Sequence, residues 1–290
     1  MRTRPTLTWT DPEAELPRTT SLDEIVDVVG RGRVAVLSGA GISTESGIPD
    51  YRGDEGSLRR HTPMTFDDFV ASEDGRQRYW ARSHVGWRTI ARAAPNDGHR
   101  AVAELQRQGL LTGVITQNVD GLHQAGGARD VIELHGSLDR VICLGCRRTS
   151  ARDDLDRRLH AANPAFGGVA TRINPDGDVE LDDHVVATFA LVDCVDCTQG
   201  VLKPDVVFFG ENVPRPRVEQ CYQLVDDSDA LLVLGSSLTV MSGLRFVRHA
   251  ARAGKPVLII NRGRTRGDKE ATVRVDRPLG EALTELVSAV

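Results

Sequence analysis

Val34-Ala35-Val36-Leu37-Ser38-Gly39-Ala40-Gly41 is a short apolar run that stops on two glycines. A run of this length bounded by glycine reads as a strand buried on both faces, the kind found in parallel sheets. Similar runs recur at Gly113-Val114-Ile115-Thr116, Ala230-Leu231-Leu232-Val233-Leu234 and Pro256-Val257-Leu258-Ile259-Ile260. Helical patterns separate several of them. Residues 98–109 place Ala101, Val102 and Leu105 on one face, and residues 242–253 do the same with Leu244, Phe246, Val247 and Ala250. A shorter amphipathic helix is expected over 21–30, with Ser21 as N-cap, Glu24 completing a capping box and Gly30 as the stop. Strands alternating with helices predict an α/β fold with a doubly wound, Rossmann-like parallel sheet and right-handed crossovers.

The chain has 290 residues, a formal net charge of −5, 40% hydrophobic residues and 27% charged ones. At about 150 residues per domain, this is one large domain or one domain with an insert. A chain this long hides roughly 75% of its unfolded surface. The balance excludes disordered and collagen-like classes. No apolar run approaches the ~20 residues that span a bilayer. Met1 to Pro17 mixes arginines with Asp11, Glu13 and Glu15 and has no apolar centre, which argues against a secretory signal or transit peptide and for a cytoplasmic setting. Mild acidity argues against nucleic acid as a partner.

Two stretches break the alternation. Residues 54–96 are polar but carry Phe66, Phe69, Tyr79, Trp80 and Trp87, and read as a helical insertion. Residues 140–203 hold two cysteine pairs and a loop-rich part around Asn163-Pro164 and Asn174 to Asp178. The parallel-sheet unit would then comprise 20–53, 97–139 and 204–290, with 140–203 as a small separate domain.

Glycines after the first strand let backbone approach a phosphate, and helix N-terminal amides can point at it. Gly39-Ala40-Gly41-Ile42-Ser43 has Thr44 where the third glycine of a dinucleotide fingerprint belongs, so a plain glycine turn is equally open. Gly47-Ile48-Pro49-Asp50-Tyr51-Arg52-Gly53 is a rigid polar loop beside it. Gln117-Asn118-Val119-Asp120-Gly121-Leu122-His123 ends another strand, where amides and a carboxylate can bind a ribose or carboxamide or simply form an Asx turn. His135 is a candidate general base, or a hydrogen-bonded structural histidine. Gly235-Ser236-Ser237-Leu238 and Asn261-Arg262-Gly263 end two further strands with small or polar groups. Phe208 and Phe209 are either core or the wall of an apolar channel.

Of five cysteines, four pair as Cys143-x2-Cys146 and Cys194-x2-Cys197, separated by 47 residues. Two such knuckles bring four thiolates onto one tetrahedral Zn²⁺. Four sulfurs leave no open position, so this zinc would be structural. The usual gap is about 15–20 residues, so a loop must be inserted in the ribbon. Either pair alone could be a redox pair instead. Cys221 reads as an ordinary buried thiol.

Taken in order, these motifs resemble the sirtuins, NAD-dependent protein deacylases. The likeness rests on Gly39 to Ser43, Gly47 to Arg52, Thr116 to His123, Leu134-His135-Gly136, both knuckles, Phe209-Gly210-Glu211, Gly235 to Leu238 and Ile260-Asn261. Gln77 to Arg82, Val85-Gly86-Trp87 and Lys203 to Gly210 are similar to class II members of the lipoamidase type, which share Phe208 where the family usually has Trp. The resemblance implies NAD as co-substrate in a cleft between a Rossmann-type domain and a small zinc domain, with acylated-lysine proteins as partners. It implies that the acyl oxygen attacks the nicotinamide ribose and expels nicotinamide. His135 then acts as general base on a ribose hydroxyl, and the products are lysine, nicotinamide and O-acyl-ADP-ribose. It carries catalytic roles onto His135, Asn118 and Asp120. It carries cofactor contacts onto Gly39, Ala40, Gly41, Ile42, Ser43, Pro49, Asp50, Tyr51, Arg52, Gln117, Asn118, Val119, Asp120, Gly235, Ser236, Ser237, Asn261, Arg262, Gly263 and Leu279, the last in a loop closing over adenine. The substrate peptide would add as a strand between Gly210-Glu211 and Ser237-Leu238. Leu58 and Arg59 stand where some class II members carry a Tyr-x-x-Arg pair for acidic acyl groups, which lowers the expectation of a desuccinylase. Lipoamidase, long-chain deacylase and ADP-ribosyltransferase activities on the same site stay open, and a non-enzymatic zinc-ribbon nucleic-acid binder is the remote competitor.

Overall fold

The computed structural model describes residues 21–52, 63–167 and 174–290. The N-terminal stretch Met1 to Pro17, Gly53, and Leu58 with Arg59 lie outside the described residues. The expected parallel sheet is present. Strands β1 (Val34–Ser38), β2 (Leu111–Thr116), β3 (Val131–Glu133), β7 (Ala230–Leu234), β8 (Val257–Ile260) and β9 (Val273–Val275) form one six-stranded sheet in the order β3-β2-β1-β7-β8-β9. Every pairing in it is parallel.

Alternation along the strands divides the core between two faces. Val34, Val36, Leu232, Leu234, Leu258 and Ile260 pack into one cluster with α1 (Asp23–Val29), α4 (Asp97–Arg107) and α10 (Leu279–Ala289). Ala35, Leu37, Leu231, Val233, Val257 and Ile259 face the other way, against α8 (Arg215–Asp226) and α9 (Met241–Arg252). Each fully buried valine, leucine or isoleucine among them contributes roughly 1.5–3 kcal/mol.

The first helix starts later than its pattern suggests. It begins at Asp23, Leu22 occupies the cap position, and Ser21 Oγ accepts the Asp23 amide at 3.2 Å. Leu22 is buried in the core, and that anchor sets the start. A capping box appears elsewhere, at α4, where Asn96 and His99 exchange hydrogen bonds.

A second sheet, β5-β4-β6, is antiparallel and built from β4 (Gly136–Cys143), β5 (Thr149–Ala151) and β6 (Leu202–Val206). The aromatic-bearing stretch is helical as expected, forming α2 (Phe66–Ala71) and α3 (Glu73–Arg92). The insert between the cysteine pairs is less loop-like than its composition suggests, because it contains α6 (Arg152–Ala162). Arg152, 1% exposed, lies over the rings of Trp80 and Trp87 at 5.2 and 4.7 Å.

Candidate active site and thiolate centre

In an open parallel sheet, ligands bind beyond the carboxyl ends of the strands, where the strand order reverses. Here that point lies between β1 and β7, and both strands end in glycine turns. The turns are pressed together: Gly39 N–H donates to Leu234 O at 2.9 Å, and Gly41 N–H to Gly235 O at 2.8 Å. A Cβ on Gly39 would lie 2.8 Å from Ser236 Cβ, and one on Gly41 2.8 Å from Gly235 O. Gly235 also has φ +60°. This bare-backbone cradle fits a diphosphate, which needs close main-chain approach.

The end of β2 supplies the polar set. Asn118 donates its side-chain amide to Gly39 O at 3.1 Å and to Ser43 Oγ at 3.0 Å. Ser43 donates to Asp120 Oδ2 at 2.7 Å, and Asp120 Oδ1 accepts the Leu122 amide at 3.0 Å. The Asx turn is therefore present alongside the network. Burial pushes the Asp120 carboxyl above its ordinary value, against the hydrogen bonds from Leu122 and Ser43. Two histidines back this network. His123 meets Ser38 Oγ at 2.8 Å, His99 faces Ser43 Oγ at 3.5 Å, and the two rings contact edge to face at 5.1 Å. Burial lowers His99 to about 4 and His123 to about 3. Both are neutral at physiological pH.

His135 follows β3 and is held at both ring nitrogens. Nδ1 lies 2.8 Å from Gln117 O, and Nε2 lies 2.8 Å from Ser242 Oγ. A carbonyl oxygen can only accept, so Nδ1 carries the proton. Burial lowers the ring to about 4. It is thus neutral at pH 7, with the lone pair on Nε2. That is the state a general base needs. The Gln117 side chain, expected at the cofactor, donates to Ser236 Oγ at 2.7 Å and ties β2 to the β7 turn.

Tyr51 stands edge-on to Phe209, with centroids 6.0 Å apart. Burial raises the Tyr51 hydroxyl well above its ordinary value and lowers the Arg52 guanidinium. The two phenylalanines after β6 separate. Phe208 is core, packed on Phe69 at 5.3 Å and Tyr79 at 5.2 Å, while Phe209 is half-buried beside Tyr51. Beneath them the Lys203 amine, 2% exposed as a residue, meets Glu211 Oε2 at 2.9 Å and lies over the Phe208 ring at 4.5 Å. The same carboxylate oxygen accepts the Phe208 amide at 2.9 Å. Asn261 donates to Arg262 O at 2.7 Å and Gly263 O at 3.0 Å, so its amide group shapes the loop after β8. Leu279 is not in a loop. It opens α10 and is buried in the core, where a Cβ on Gly235 would meet its Cδ1 at 2.6 Å. The apolar patterning of α10 carries Leu279 inward, behind the cradle.

The four paired cysteines converge. Their sulfurs all lie within 4.8 Å of one another, with Cys143–Cys197 at 3.7 Å and Cys146–Cys194 at 3.8 Å. A tetrahedron of ~2.3 Å Zn–S bonds has edges of about 3.8 Å, so the set fits Zn²⁺. The knuckles share one turn: the Arg147 amide returns to Cys143 O and the Thr198 amide to Cys194 O, each at 2.9 Å, with φ of +63° and +60°. The pattern of cysteines gives no hint of Gly200, whose missing side chain makes room for the sulfurs. Ser242 is likewise absent from any motif. Cys221 is fully buried, which pushes its thiol up to about 12 and leaves it inert.

The Sir2 family model matches residues 39–242. The chain is 66% identical over 285 residues to NAD-dependent protein deacetylase 1 of Streptomyces coelicolor, covering 98% of this chain and 95% of that protein. It is 54% identical over 270 residues to NAD-dependent protein deacetylase 1 of Mycobacterium avium, covering 91% and 93%. Among solved structures, the Sir2–p53 peptide–NAD+ complex matches with a TM-score of 0.74 and 29% identity, over 92% of this chain and 98% of that one. Sir2 bound to acetylated peptide matches with a TM-score of 0.72 and 28% identity, over 92% and 98%.

Proposed function

The chain belongs to the Sir2 family, and from that premise we propose that it is an NAD-dependent protein-lysine deacetylase whose work divides among the residues at the β1–β7 crevice. The observation that carries this reading is His135, neutral, with Nδ1–H fixed on Gln117 O and its lone pair on Nε2, facing the Ser242 hydroxyl. NAD, when bound, supplies an electrophilic ribose carbon with nicotinamide as leaving group. The Gly39–Gly41 and Gly235 turns would hold its diphosphate on bare backbone. Asn118 and Asp120, cross-linked through Ser43, would orient the nicotinamide end. Tyr51 and Phe209 would exclude water from the reacting carbon. Nε2 of His135 would take the proton of a ribose hydroxyl, and the imidazolium so formed would keep its Nδ1–H on the Gln117 carbonyl.

Acylated-lysine proteins are the substrates in this reading, held as an added strand between Gly210-Glu211 and Ser237-Leu238. The thiolate centre would hold one structural Zn²⁺. The parallel-sheet segments would form the NAD domain and 140–203 the zinc domain. Among the described residues no helix is long and apolar enough to cross a membrane, and we assign the protein to the cytoplasm, where free thiols persist as metal ligands.

The test is nicotinamide release from NAD with acetyl-, succinyl- and lipoyl-lysine peptides. The expected result is acetyl-peptide-dependent release, and release no faster with peptide than without it refutes the reading. His135→Ala is expected to keep its zinc and fold while losing about 10²–10⁴ in turnover. A variant that keeps most of its deacylation refutes the base assignment.

A further inference from the structure

The hydroxyl of Ser242 has an obvious alternative use. It sits in the first turn of α9, where serine commonly caps free amides. No side chain caps this helix: the cap residue is Val240, with no side-chain hydrogen bond. The Ser242 hydroxyl instead points at His135 Nε2, 2.8 Å away. Its neighbour makes that approach possible. A Cβ on Gly243 would lie 2.6 Å from Gln117 Oε1, so the bare backbone at the start of α9 closes on the Gln117 side chain. Gln117 in turn supplies the carbonyl on His135 Nδ1. The imidazole is therefore clamped between the end of β2 and the start of α9. Among the described residues the charged group facing it is Arg217 of α8, whose guanidinium donates to Leu134 O at 3.4 Å.

We propose that Ser242 is a positioning residue for His135: its hydroxyl keeps Nε2 aimed into the crevice and yields that nitrogen to the ribose hydroxyl. Since Nδ1 bears the ring proton, Nε2 bears the lone pair, and Ser242 O–H donates to it in the resting state. When a ribose hydroxyl takes that place, its proton moves to Nε2 and its oxygen keeps the electron pair for attack on the acyl-derived carbon. The ring is now an imidazolium with N–H at both positions. Serine can donate or accept, so Ser242 can turn its oxygen lone pair to the new Nε2–H. That charge-assisted bond is stronger than the neutral one it replaces. The hydroxyl thus favours the state that forms during the reaction.

The inference rests on the deacylase reading, in which His135 acts after nicotinamide has left. The experiment compares wild type, Ser242→Ala and Ser242→Thr, with zinc content and thermal midpoint recorded for each. It measures deacylation of an acetyl-lysine peptide and, separately, exchange of labelled nicotinamide into NAD. Ser242→Ala is expected to lower kcat for deacylation about tenfold, the loss of one hydrogen bond to a charged group. KM for NAD should change little and nicotinamide exchange should persist. Ser242→Thr, which retains the hydroxyl, should recover most of the rate. Wild-type deacylation in Ser242→Ala overturns the proposal. So does a parallel loss of exchange and deacylation, or a threonine variant as slow as alanine. Absence of peptide-dependent NAD consumption in the wild type itself is a different result and refutes the deacylase reading.

Discussion

Replacing Gly200 by alanine puts the thiolate centre to its hardest test. An added Cβ would lie 2.7 Å from Cys197 Sγ, nearer still to Cys143 Sγ, and 3.5 Å from Cys194 Cβ. Carbon and sulfur need at least about 3.5 Å, so the sulfurs must retreat by about 1 Å. Zinc ligation tolerates only about ±0.2 Å, so the substitution moves two of the four ligands well beyond range. Overpacking alone costs about 1–3 kcal/mol. For a chain of this size that lowers the thermal midpoint by roughly 2–12 °C, at about 2–4 °C per kcal/mol. Loss of the metal adds to this, because ribbon folding and zinc binding are one equilibrium. Gly145 is the control within the same knuckle pair. Its Cβ would meet Cys143 Sγ at 3.7 Å and Cys197 Sγ at 3.9 Å, ordinary contacts. The assay is zinc per chain by colorimetric release, together with the thermal midpoint. Gly145→Ala should keep one zinc and a midpoint within about 2 °C of wild type, on this same scale. Gly200→Ala should lose both. A Gly200→Ala protein with full zinc and an unchanged midpoint refutes the reasoning.

Stability should fall on mild acidification. His99 and His123 are lowered by burial to about 4 and about 3, so the unfolded chain, with histidines near 6.5, binds more protons in between. Their contribution is complete above about pH 6.5 and is lost as pH falls toward the folded values, about 2 kcal/mol each at pH 5. Denaturation curves from pH 7.5 to 5 should show it, His99→Gln should flatten the slope, and a flat wild-type profile contradicts it. Lys203→Met leaves Glu211 without its cation. The cost should be roughly 2–4 kcal/mol by urea denaturation, reduced from the fully buried case because the Glu211 side chain is 25% exposed. A raised KM for peptide should accompany it, since Glu211 also holds the Phe208 amide. Wild-type stability in Lys203→Met would show that the pair contributes nothing.

The parallel sheet was legible because its signal is local. Val34 to Leu37 and Ala230 to Leu234 are apolar at every position, and only a strand buried on both faces requires that. The glycine cradle was half legible. Gly39 and Gly41 announce close approach, but the backbone that approaches them is the Gly235 turn, nearly two hundred residues away. Thiolate ligands were legible because C-x-x-C is a local turn, repeated with the same geometry in both knuckles. Gly200 was not, because what forbids its side chain is Cys143. His135 could be suspected, but its tautomer depends on Gln117 O and its lone pair on Ser242, neither adjacent in sequence. The loop placement of Leu279 fails for the opposite reason. Its resemblance-based role placed it in a loop, whereas the apolar pattern of α10 buries it.

The 47 residues between the cysteine pairs raise the question of what such an insert does to the ribbon. Relative to a gap of about 15–20 residues, closing the longer loop costs only about 1 kcal/mol more. Against that stand Leu155, Leu159 and Phe189, all at 2% exposure or less, each contributing roughly 1.5–3 kcal/mol. The partners of the insert are mostly on α3. Gln77 donates to Phe189 O at 2.7 Å, His84 meets Asp156 at 2.8 Å, and Arg82 pairs with Asp178 at 3.5 Å with both side chains largely buried. Gly86 has no side chain where Gly177 O comes in, and a Cβ there would also lie 2.7 Å from Val179 Cγ1. Without the insert, Trp80 and Trp87 would lose the Arg152 guanidinium that lies between them, and the inner face of α3 would be uncovered. The insert therefore stabilises the helical segment more than the thiolate ribbon that contains it. Shortening it to ribbon length should leave the four sulfurs able to bind zinc but unfold α3.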